Sequence, residues 1–542
     1  MKQKVLAFFW PLLVVCSATL AQTFTSSNLP IIVINTQGQS IMDEPKITAD
    51  MGIINNAAGV RNQLTDPFND FVGKIGIEMR GSSSQSFPKK QFGIETRDAN
   101  GNGIDAALLG LPPKDDWILF APYNDKSLVR DALAYRLGRT MGRYASRLRY
   151  CEVVINGQYE GIYILLEKIK RDKNRVDIAK LDPIEISGDD VTGGYIVKID
   201  KSTGSGGDGW SSAIPPANRN GNQSIFFLYE YPKSTEIVPQ QKAYIKNYID
   251  NFESALKGTN FKDPVNGYAK YIDVNSFVDF LIMNEVSKNA DGYRLSTYLY
   301  KKKDSDGGKI HMGPIWDFNL GFGNVDYCTQ GNPEGFVYKF NEICGNDYWL
   351  IPFWWDRLLQ DPAFQNKLGQ RWQSLRATTL KTSYVHSYID SVATVLNIES
   401  QQRNFQRWPV LGQYVWPNYY VGQTFQDEVN WLKTWVSQRM DWLDLNMPYY
   451  DPTTGVEPFE STMIYPNPNR GNFMIDLNMN DEGFVQVEII NSLGVVCLQR
   501  NISVMRGKNN LSLDLADAVH GIYFCRINYQ NQSQTHRFVI SR

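Results

Sequence analysis

The stretch KNADGYRLSTYLYKKKDSDGGKIHMGPIWDFNLGFG, residues 288–323, decides how this chain is read. Two runs, STYLYKKK (296–303) and KIHMGPIW (309–316), flank the turn sequence DSDGG, so the stretch reads as a β-hairpin. Folding about residue 306 sets Leu295 roughly opposite Asp317 and crowds Asp291, Ser296 and Asp317 at the open end. Pro314 cannot donate to the ladder and leaves the register open, but the crowding does not depend on register. Two carboxylates a few ångströms apart repel unless a cation or a shared proton lies between them. A divalent cation on Asp317, with Asp291 free to accept a proton from a hydroxyl, uses both charges. The plainer reading is that each aspartate caps a turn or a helix.

Upstream of the hairpin the chain reads mainly as sheet. IIVINTQG (31–38), KIGIEMRG (74–81) and QFGIETRD (91–98) alternate apolar and polar residues, as half-buried strands do. RGSSSQSFPKKQFGIE (80–95) supplies a small hydroxyl-rich turn holding Arg80, Ser82 and Ser83, then Lys89 and Lys90 at the head of a strand. The two lysines have opposite parity, so one of them is expected to enter a cleft; two solvated lysines beside a turn is the alternative. NDKSLVRDALAYRLGRTMG (124–142) predicts a helix with Asp125 as its cap and Gly142 at its end. CEVVING (151–157) and GIYILLEKI (161–169) read as strands. The second carries Glu167 in an apolar run, where it either pairs with a lysine or lies at a hinge. Residues 201–224 are rich in Gly, Ser, Pro and Asn and read as loop. Beyond residue 240 the period changes to 3.6, most clearly in VNWLKTWVSQRMDWLDLNM (429–447), whose Trp431, Trp435 and Trp442 read as core rather than as a sugar-binding strip.

The first 21 residues have Lys2 and Lys4, an apolar run from Val5 to Val15 and a small-residue end, the pattern of a cleaved signal peptide. No later stretch approaches the ~20 apolar residues of a spanning helix, so no transmembrane anchor is expected in the mature chain. Lys and Arg total 55 against 57 Asp and Glu, a net charge of −2, which argues against a nucleic-acid surface built on bulk basicity. The cysteines form no C-x-x-C pair, which disfavours structural zinc. In an oxidising compartment Cys328 and Cys344 are placed to close a loop and Cys497 and Cys525 to join two strands; otherwise all are buried thiols.

The hairpin's spacing has a further meaning. In protein kinases a catalytic-loop Asp is followed five residues later by a metal-binding Asn, then by a hairpin leading to a second metal-binding Asp in D-F-G. Here Ser296 follows Asp291 by five residues, and the hairpin leads to Asp317 in D-F-N. RGSSSQSFPKK, the LLGLPPKDDWILFAPYNDKSLVRDALAYRL stretch, INGQYEGIYILLEKI and MGPIWDFNLGFGN together resemble the CotH kinase family over roughly residues 30–325. The resemblance implies an atypical protein-kinase fold that transfers the terminal phosphoryl group of ATP to protein hydroxyls with magnesium. It would make Asp291 the catalytic-loop aspartate, Asp317 with Ser296 the metal ligands, and Lys90 or Lys89, with the turn residues and Glu167, the nucleotide-binding set. Asn289-Ala290-Asp291 stands where kinases have H-R-D, Ser296 stands where they have Asn, and the N-terminal part has no G-x-G-x-x-G. Asp125 and Asp131 are both candidates for the helix acid that kinases pair with the nucleotide lysine.

From residue 453 short strand-like runs recur between Gly, Asn and Asp turns, the pattern of a small antiparallel sandwich. YPNPNRGNF (465–473), IINSLGVV, GIYFCRI and the terminal HRFVISR resemble the C-terminal sorting domain of type IX secretion in Bacteroidetes-type bacteria. The whole is therefore expected to be α+β: a signal peptide (1–21), a two-lobed kinase-like domain (22–452) with a sheet-rich and a helix-rich lobe, and an all-β sandwich (453–542). The resemblances imply a secreted or cell-surface protein that meets the outer-membrane secretion machinery and a protein substrate, with no nucleic-acid partner. Because ATP is scarce outside cells, the competing expectation is a catalytically weak kinase-fold module that binds glycan or envelope partners. A carboxylate-metal hydrolase has the acids but only His311, His386, His520 and His536 to draw on, and His311 reads as a packing residue.

Overall fold

The computed structural model describes residues 24–202, 207–448, 459–479, 482–515, 517–529 and 532–541, so the signal sequence read over 1–21 lies outside the described residues. The chain divides between Met447 and Pro448 into two compact units. The first is mixed α/β and the second is β-rich.

The first unit opens with β1 (Ser26–Ser27), β2 (Ile31–Asn35), β3 (Ile47–Ile54), β4 (Asn62–Gln63), β5 (Phe71–Arg80), β6 (Gln91–Arg97), β7 (Asp116–Phe120), β8 (Leu148–Ile155) and β9 (Gln158–Glu167). Seven of these close into a barrel in the order β2-β3-β5-β6-β7-β9-β8. Closure comes from a parallel pairing of Ile31–Ile34 with Glu152–Ile155, a long-range contact that local patterning does not announce. Ile32, Ile34, Met51, Ile53, Ile75, Ile77, Phe92 and Ile94 share one core with Trp117, Leu119, Tyr163 and Leu165. Their alternate neighbours Ile118, Phe120, Ile162, Ile164 and Leu166 belong instead to the core of the helical part. The run GIYILLEKI is apolar without alternation because both of its faces are covered.

The helix expected over 124–142 is α1 (Arg130–Thr140). Asp125 still serves its start: Oδ2 accepts the Arg130 N–H at 2.9 Å and Oδ1 pairs with the Arg130 guanidinium at 2.6 Å. A five-stranded antiparallel sheet follows, built from β10 (Tyr195–Ile199), β11 (Gly209–Ser211), β12 (Phe226–Tyr231), β13 (Thr297–Lys301) and β14 (Ile310–Met312) in the order β11-β12-β10-β13-β14. β11 corrects the expectation of loop over 201–224. Trp210 anchors it, its ring 5.1 Å from those of Phe227 and Tyr229, a packing force that the Gly/Ser composition hides.

Between β12 and β13 lie α2 (Pro239–Lys257) and α3 (Val274–Ser287). Asp273 caps α3 by accepting the Ser276 N–H at 2.7 Å, and all but the first two residues of the helix are buried. The helical part is completed by α4 (Phe340–Ile343), α5 (Trp354–Leu358), α6 (Pro362–Arg376), α7 (Thr382–Asn397), α8 (Ser400–Arg407) and α9 (Phe425–Asn446). In α9 Trp435 is core, and Trp431 and Trp442 pack half-buried against it, as the helical spacing implied. Cys328 and Cys344 form a disulfide. Among the described residues no helix is long and apolar enough to cross a membrane.

The second unit contains β15 (Phe459–Tyr465), β16 (Asn472–Met479), β17 (Gly483–Asn491), β18 (Val496–Val504), β19 (Gly507–Asp514), β20 (Gly521–Tyr529) and β21 (Gln532–Ile540). They form sheets of order β15-β16-β19 and β18-β17-β20-β21 that share one apolar core. The expected Cys497–Cys525 bridge is absent. β17 lies between the strands that carry the two cysteines, leaving Cys525 buried and Cys497 exposed as free thiols.

Candidate active site

The hairpin forms, with Leu299 opposite Met312, Tyr300 opposite His311 and Lys301 opposite Ile310. Continuing that register sets Asp317 across from Arg294 rather than Leu295, a one-residue offset from the sequence reading. Strand pairing ends at Met312; Gly313 still donates its N–H to the Tyr298 carbonyl at 2.8 Å, but Pro314 has none to give, so both strands are shorter than their period-two runs. His311 stacks on Tyr300 at 4.9 Å, a packing role.

Beyond the ladder the two ends are tied together by Asn289. Its side-chain oxygen accepts the Asp291 N–H at 3.3 Å and its amide nitrogen donates to the Asp317 carbonyl at 3.4 Å. On the other side α1 holds the Asp317 turn: the Tyr135 hydroxyl accepts the Asp317 N–H at 3.1 Å, and Asp131 accepts the Phe318 N–H at 2.8 Å. The backbone here is unusual. Lys288 (φ 46°), Tyr293 (68°), Ser296 (47°), Asp317 (62°) and Phe322 (50°) are all left-handed without being glycine. Such conformations cost of order 1–3 kcal/mol each and persist only where surrounding contacts enforce them, which is the habit of functional loops.

The acids act on one another electrostatically. Burial pushes the Asp317 carboxyl up to about 6, the charge of Asp291 adds to the rise, and Arg80 opposes it. Asp200, directly after β10, is a third acid in the group. Its carboxyl is raised by burial, opposed by Lys198, with the charge of Asp291 raising it further. Asp131, behind the turn, is pushed well above the carboxylate range by burial and then by Asp317. Among the described residues, nothing donates a hydrogen bond to the half-buried Asp317 carboxylate. Asp291 differs, because its Oδ1 pairs with Arg294 at 2.9 Å. Arg294 also reaches Asp347 at 3.1 Å and lies over the Phe340 ring, so Asp291 is oriented while its Oδ2 stays open.

The expected residues separate into two sets. Arg80 lies against Trp316, 5.8 Å from guanidinium carbon to ring centroid, and faces Asp317 electrostatically. Ser83 is brought in through Lys201, whose ammonium is 3.4 Å from its hydroxyl and 4.7 Å from the Trp349 ring. Ser82 is exposed beside it, at the start of the short turn 83–86. Ser296 sits in the acidic group, but its contact there is a backbone N–H donated to Asp200.

The two lysines do not join this group. Lys89 is buried against the outer side of the barrel, donating to the Ile162 carbonyl and to Asn404 Oδ1 at 2.9 Å, and burial pulls its ammonium down to about 7. Lys90 folds back onto the Gln85 carbonyl at 2.6 Å. Glu167 also lies elsewhere, and its partners are arginines rather than a lysine: Arg147 at 2.6 Å and Arg175 at 3.9 Å. Neither Asp125 nor Asp131 forms an ion pair with a lysine. Arg294 and Lys198 are tied to Asp291 and Asp200, and the positive groups that face Asp317 are Arg80 and Lys201. Asp200 and Lys201 carried no signal in the sequence, since they border a glycine-rich loop and reach the hairpin only through strand pairing.

A small, hard dication fits this donor set. Among the described residues no three acidic, histidine or cysteine side chains converge as ligands, but magnesium is commonly held by one or two carboxylates, with phosphate and water oxygens completing its shell. Asp317, which accepts no hydrogen bond from the described residues and is crowded by like charge, would supply the protein's share.

The family model described as CotH kinase protein matches residues 77–443, and that of the secretion system C-terminal sorting domain matches residues 463–541. Inner spore coat protein H of Bacillus subtilis (strain 168) is 24% identical over 250 residues, which cover 46% of this chain and 59% of that protein.

Proposed function

Since the chain belongs to the CotH kinase protein family, we propose that it is an exported atypical kinase that transfers the terminal phosphoryl group of ATP to serine or threonine hydroxyls of proteins outside the cell. The observation that carries this reading is the Asp317 carboxylate: half-buried, without a hydrogen-bond donor and raised to about 6 among like charges. A carboxylate so placed gains from a cation, and Asp317 is the residue that would hold magnesium.

When bound there, magnesium would neutralise charge on the transferring phosphates. The chain's own groups do the rest by position and charge. Arg80 and Lys201 offset phosphate charge from the opposite side of the acids. Asp291 accepts the proton of the attacking hydroxyl at Oδ2, while Arg294 holds Oδ1 in place. Ser82 and Ser83 offer hydroxyls and backbone donors over the phosphates. In this reading the barrel is the first lobe of a two-lobed kinase arrangement, and the five-stranded sheet with its helices is the second. The sorting domain is the address for the secretion machinery.

A second reading, a binding module without turnover, is favoured by exposed aromatic rings near the acids. Tyr327, which feels the charge of Asp291, stacks on Trp416 at 6.3 Å, and Trp416 and Tyr414 are more than half exposed. Incubating the protein with labelled ATP, magnesium and a serine-rich acceptor protein, beside an Asp317→Ala control, separates the two. Asp317-dependent transfer supports the kinase. Polysaccharide binding without any transfer supports the module.

A further inference from the structure

The guanidinium of Arg294, which orients Asp291, is held by one stretch of chain. Asp347 Oδ1 and the Trp349 carbonyl each accept from its Nη1 at 3.1 Å, the Phe340 ring centroid lies 4.2 Å from its carbon, and Tyr327 stands beside it. The Trp349 ring in turn carries the Lys201 ammonium. Two groups of the acid site, Asp291 and Lys201, therefore lean on residues 327–349, and the Cys328–Cys344 disulfide closes the middle of that stretch. Tyr327 directly precedes one cysteine. Asp347 follows the other closely, its N–H donating to the Cys344 carbonyl at 2.8 Å.

The inside of the loop stays in place without the disulfide. Lys288 donates to the carbonyls of Thr329, Asn332 and Glu334, Glu285 accepts the N–H groups of Val337 and Tyr338, and Val337 and Phe340 are buried. The flanks are different. Asp326, Asn346 and Tyr348 are exposed, and both cysteines are half-buried, within reach of a thiol reagent. Cys328 and Thr329 hold left-handed backbones at φ 53° and 57°, which residues other than glycine keep only under outside constraint, and the bridge supplies one at Cys328. Local opening begins where few buried contacts hold the chain, so loss of the bridge frees the flanks and leaves the rest folded.

We propose that the Cys328–Cys344 pair is a redox switch for the acid site. In the reduced chain Asp347 and Trp349 part from Arg294 and Lys201, and Asp291 loses its fixed orientation. Oxidation joins the two thiols, as two electrons and two protons pass to a protein disulfide of the oxidising compartment, which becomes a dithiol. The sorting domain marks the chain for export. The precursor is therefore inactive where thiols stay reduced, and its site assembles once the chain has left that compartment. The loss of phosphoryl transfer rests on the kinase reading; the release of Arg294 does not.

The test is amide hydrogen exchange of the full chain, oxidised, reduced with a phosphine, and as Cys328→Ser, beside transfer of labelled phosphate from magnesium ATP to a serine-rich protein. Reduction and Cys328→Ser are expected to speed exchange at residues 289–296 and 344–349 by about tenfold or more, to leave β5 and β6 unchanged, and to lower transfer by a similar factor. Oxidised glutathione should restore the reduced parent but not the variant. Cys497→Ser, which removes the exposed thiol of the second unit, should change nothing. Should Cys328→Ser fail to fold, the reduced parent decides. The proposal is overturned if exchange at the two stretches is the same in both redox states, or if it rises equally in β5 and β6, which would make the bridge a stabiliser of the whole fold. It is also overturned if the reduced chain transfers phosphate as fast as the oxidised one. An oxidised chain that transfers no phosphate sinks the kinase reading alone, because the exchange result still decides the switch.

Discussion

The crowding of carboxylates has a consequence for stability that can be measured without any substrate. Asp317 holds its proton at about 6 in the folded chain, against ~3.9 for an unfolded aspartate. A folded-state value above the unfolded one means that the charged form is disfavoured by folding. The penalty is fully present above pH 6, shrinks as pH falls, and is gone below about 4. At ~1.4 kcal/mol per pH unit the difference reaches ~3 kcal/mol, and solvent at this half-buried position screens part of it, so ~1–3 kcal/mol is expected. Asp317→Asn removes the charge and keeps the shape, and the carboxylate has no hydrogen bond to lose. The variant should therefore be more stable than the parent by ~1–3 kcal/mol at pH 7.5 without divalent cations, with the gain fading towards pH 4.5. Urea unfolding at pH 7.5, 6.0 and 4.5 measures this. A variant that is equally or less stable at pH 7.5, or a gain that does not decline with pH, refutes the account of a carboxyl raised by burial and by neighbouring like charge.

Other expectations follow from the same contacts. Arg80→Met and Lys201→Met should each weaken magnesium-nucleotide binding about tenfold, a loss of ~1.4 kcal/mol, whereas Lys90→Met should leave it unchanged by calorimetry. Arg294→Ala strips the buried partner from Asp291 and Asp347 and should cost ~3–5 kcal/mol in urea unfolding. Tyr135→Phe leaves the Asp317 N–H without its acceptor; ~1–3 kcal/mol of stability should go with it, and phosphoryl transfer should fall further than stability explains. Reducing the Cys328–Cys344 bridge, which spans 16 residues, should cost ~3 kcal/mol, and Cys328→Ser should match the reduced parent.

Much of this architecture was legible because its signals are local. Period-two runs marked the barrel strands and the hairpin, and helical spacing marked α9 with its tryptophans. Several misreadings come from distance along the chain. Parity separated Lys89 from Lys90 but could not say that α8, some 310 residues later, would cover the face to which Lys89 points, so a candidate phosphate ligand proved to be a packed lysine bound to Asn404. Glu167 needs a partner and finds it nearby, in Arg147 twenty residues before it and Arg175 eight after, where the sequence reading looked for a lysine. The pairing of β2 with β8 leaves no mark in either strand, and neither does the neighbourhood of Asp200 and Lys201. In the tail, strand order rather than cysteine spacing decides that Cys497 and Cys525 stay apart. The Asp291–Asp317 meeting was readable because a single hairpin makes it.

Isothermal titration of ATP into the parent and into Asp317→Ala, with and without magnesium, tests the central claim most directly. The account predicts binding that needs magnesium and is at least tenfold weaker in the variant. ATP binding of equal strength in both proteins, or binding indifferent to magnesium, would contradict it.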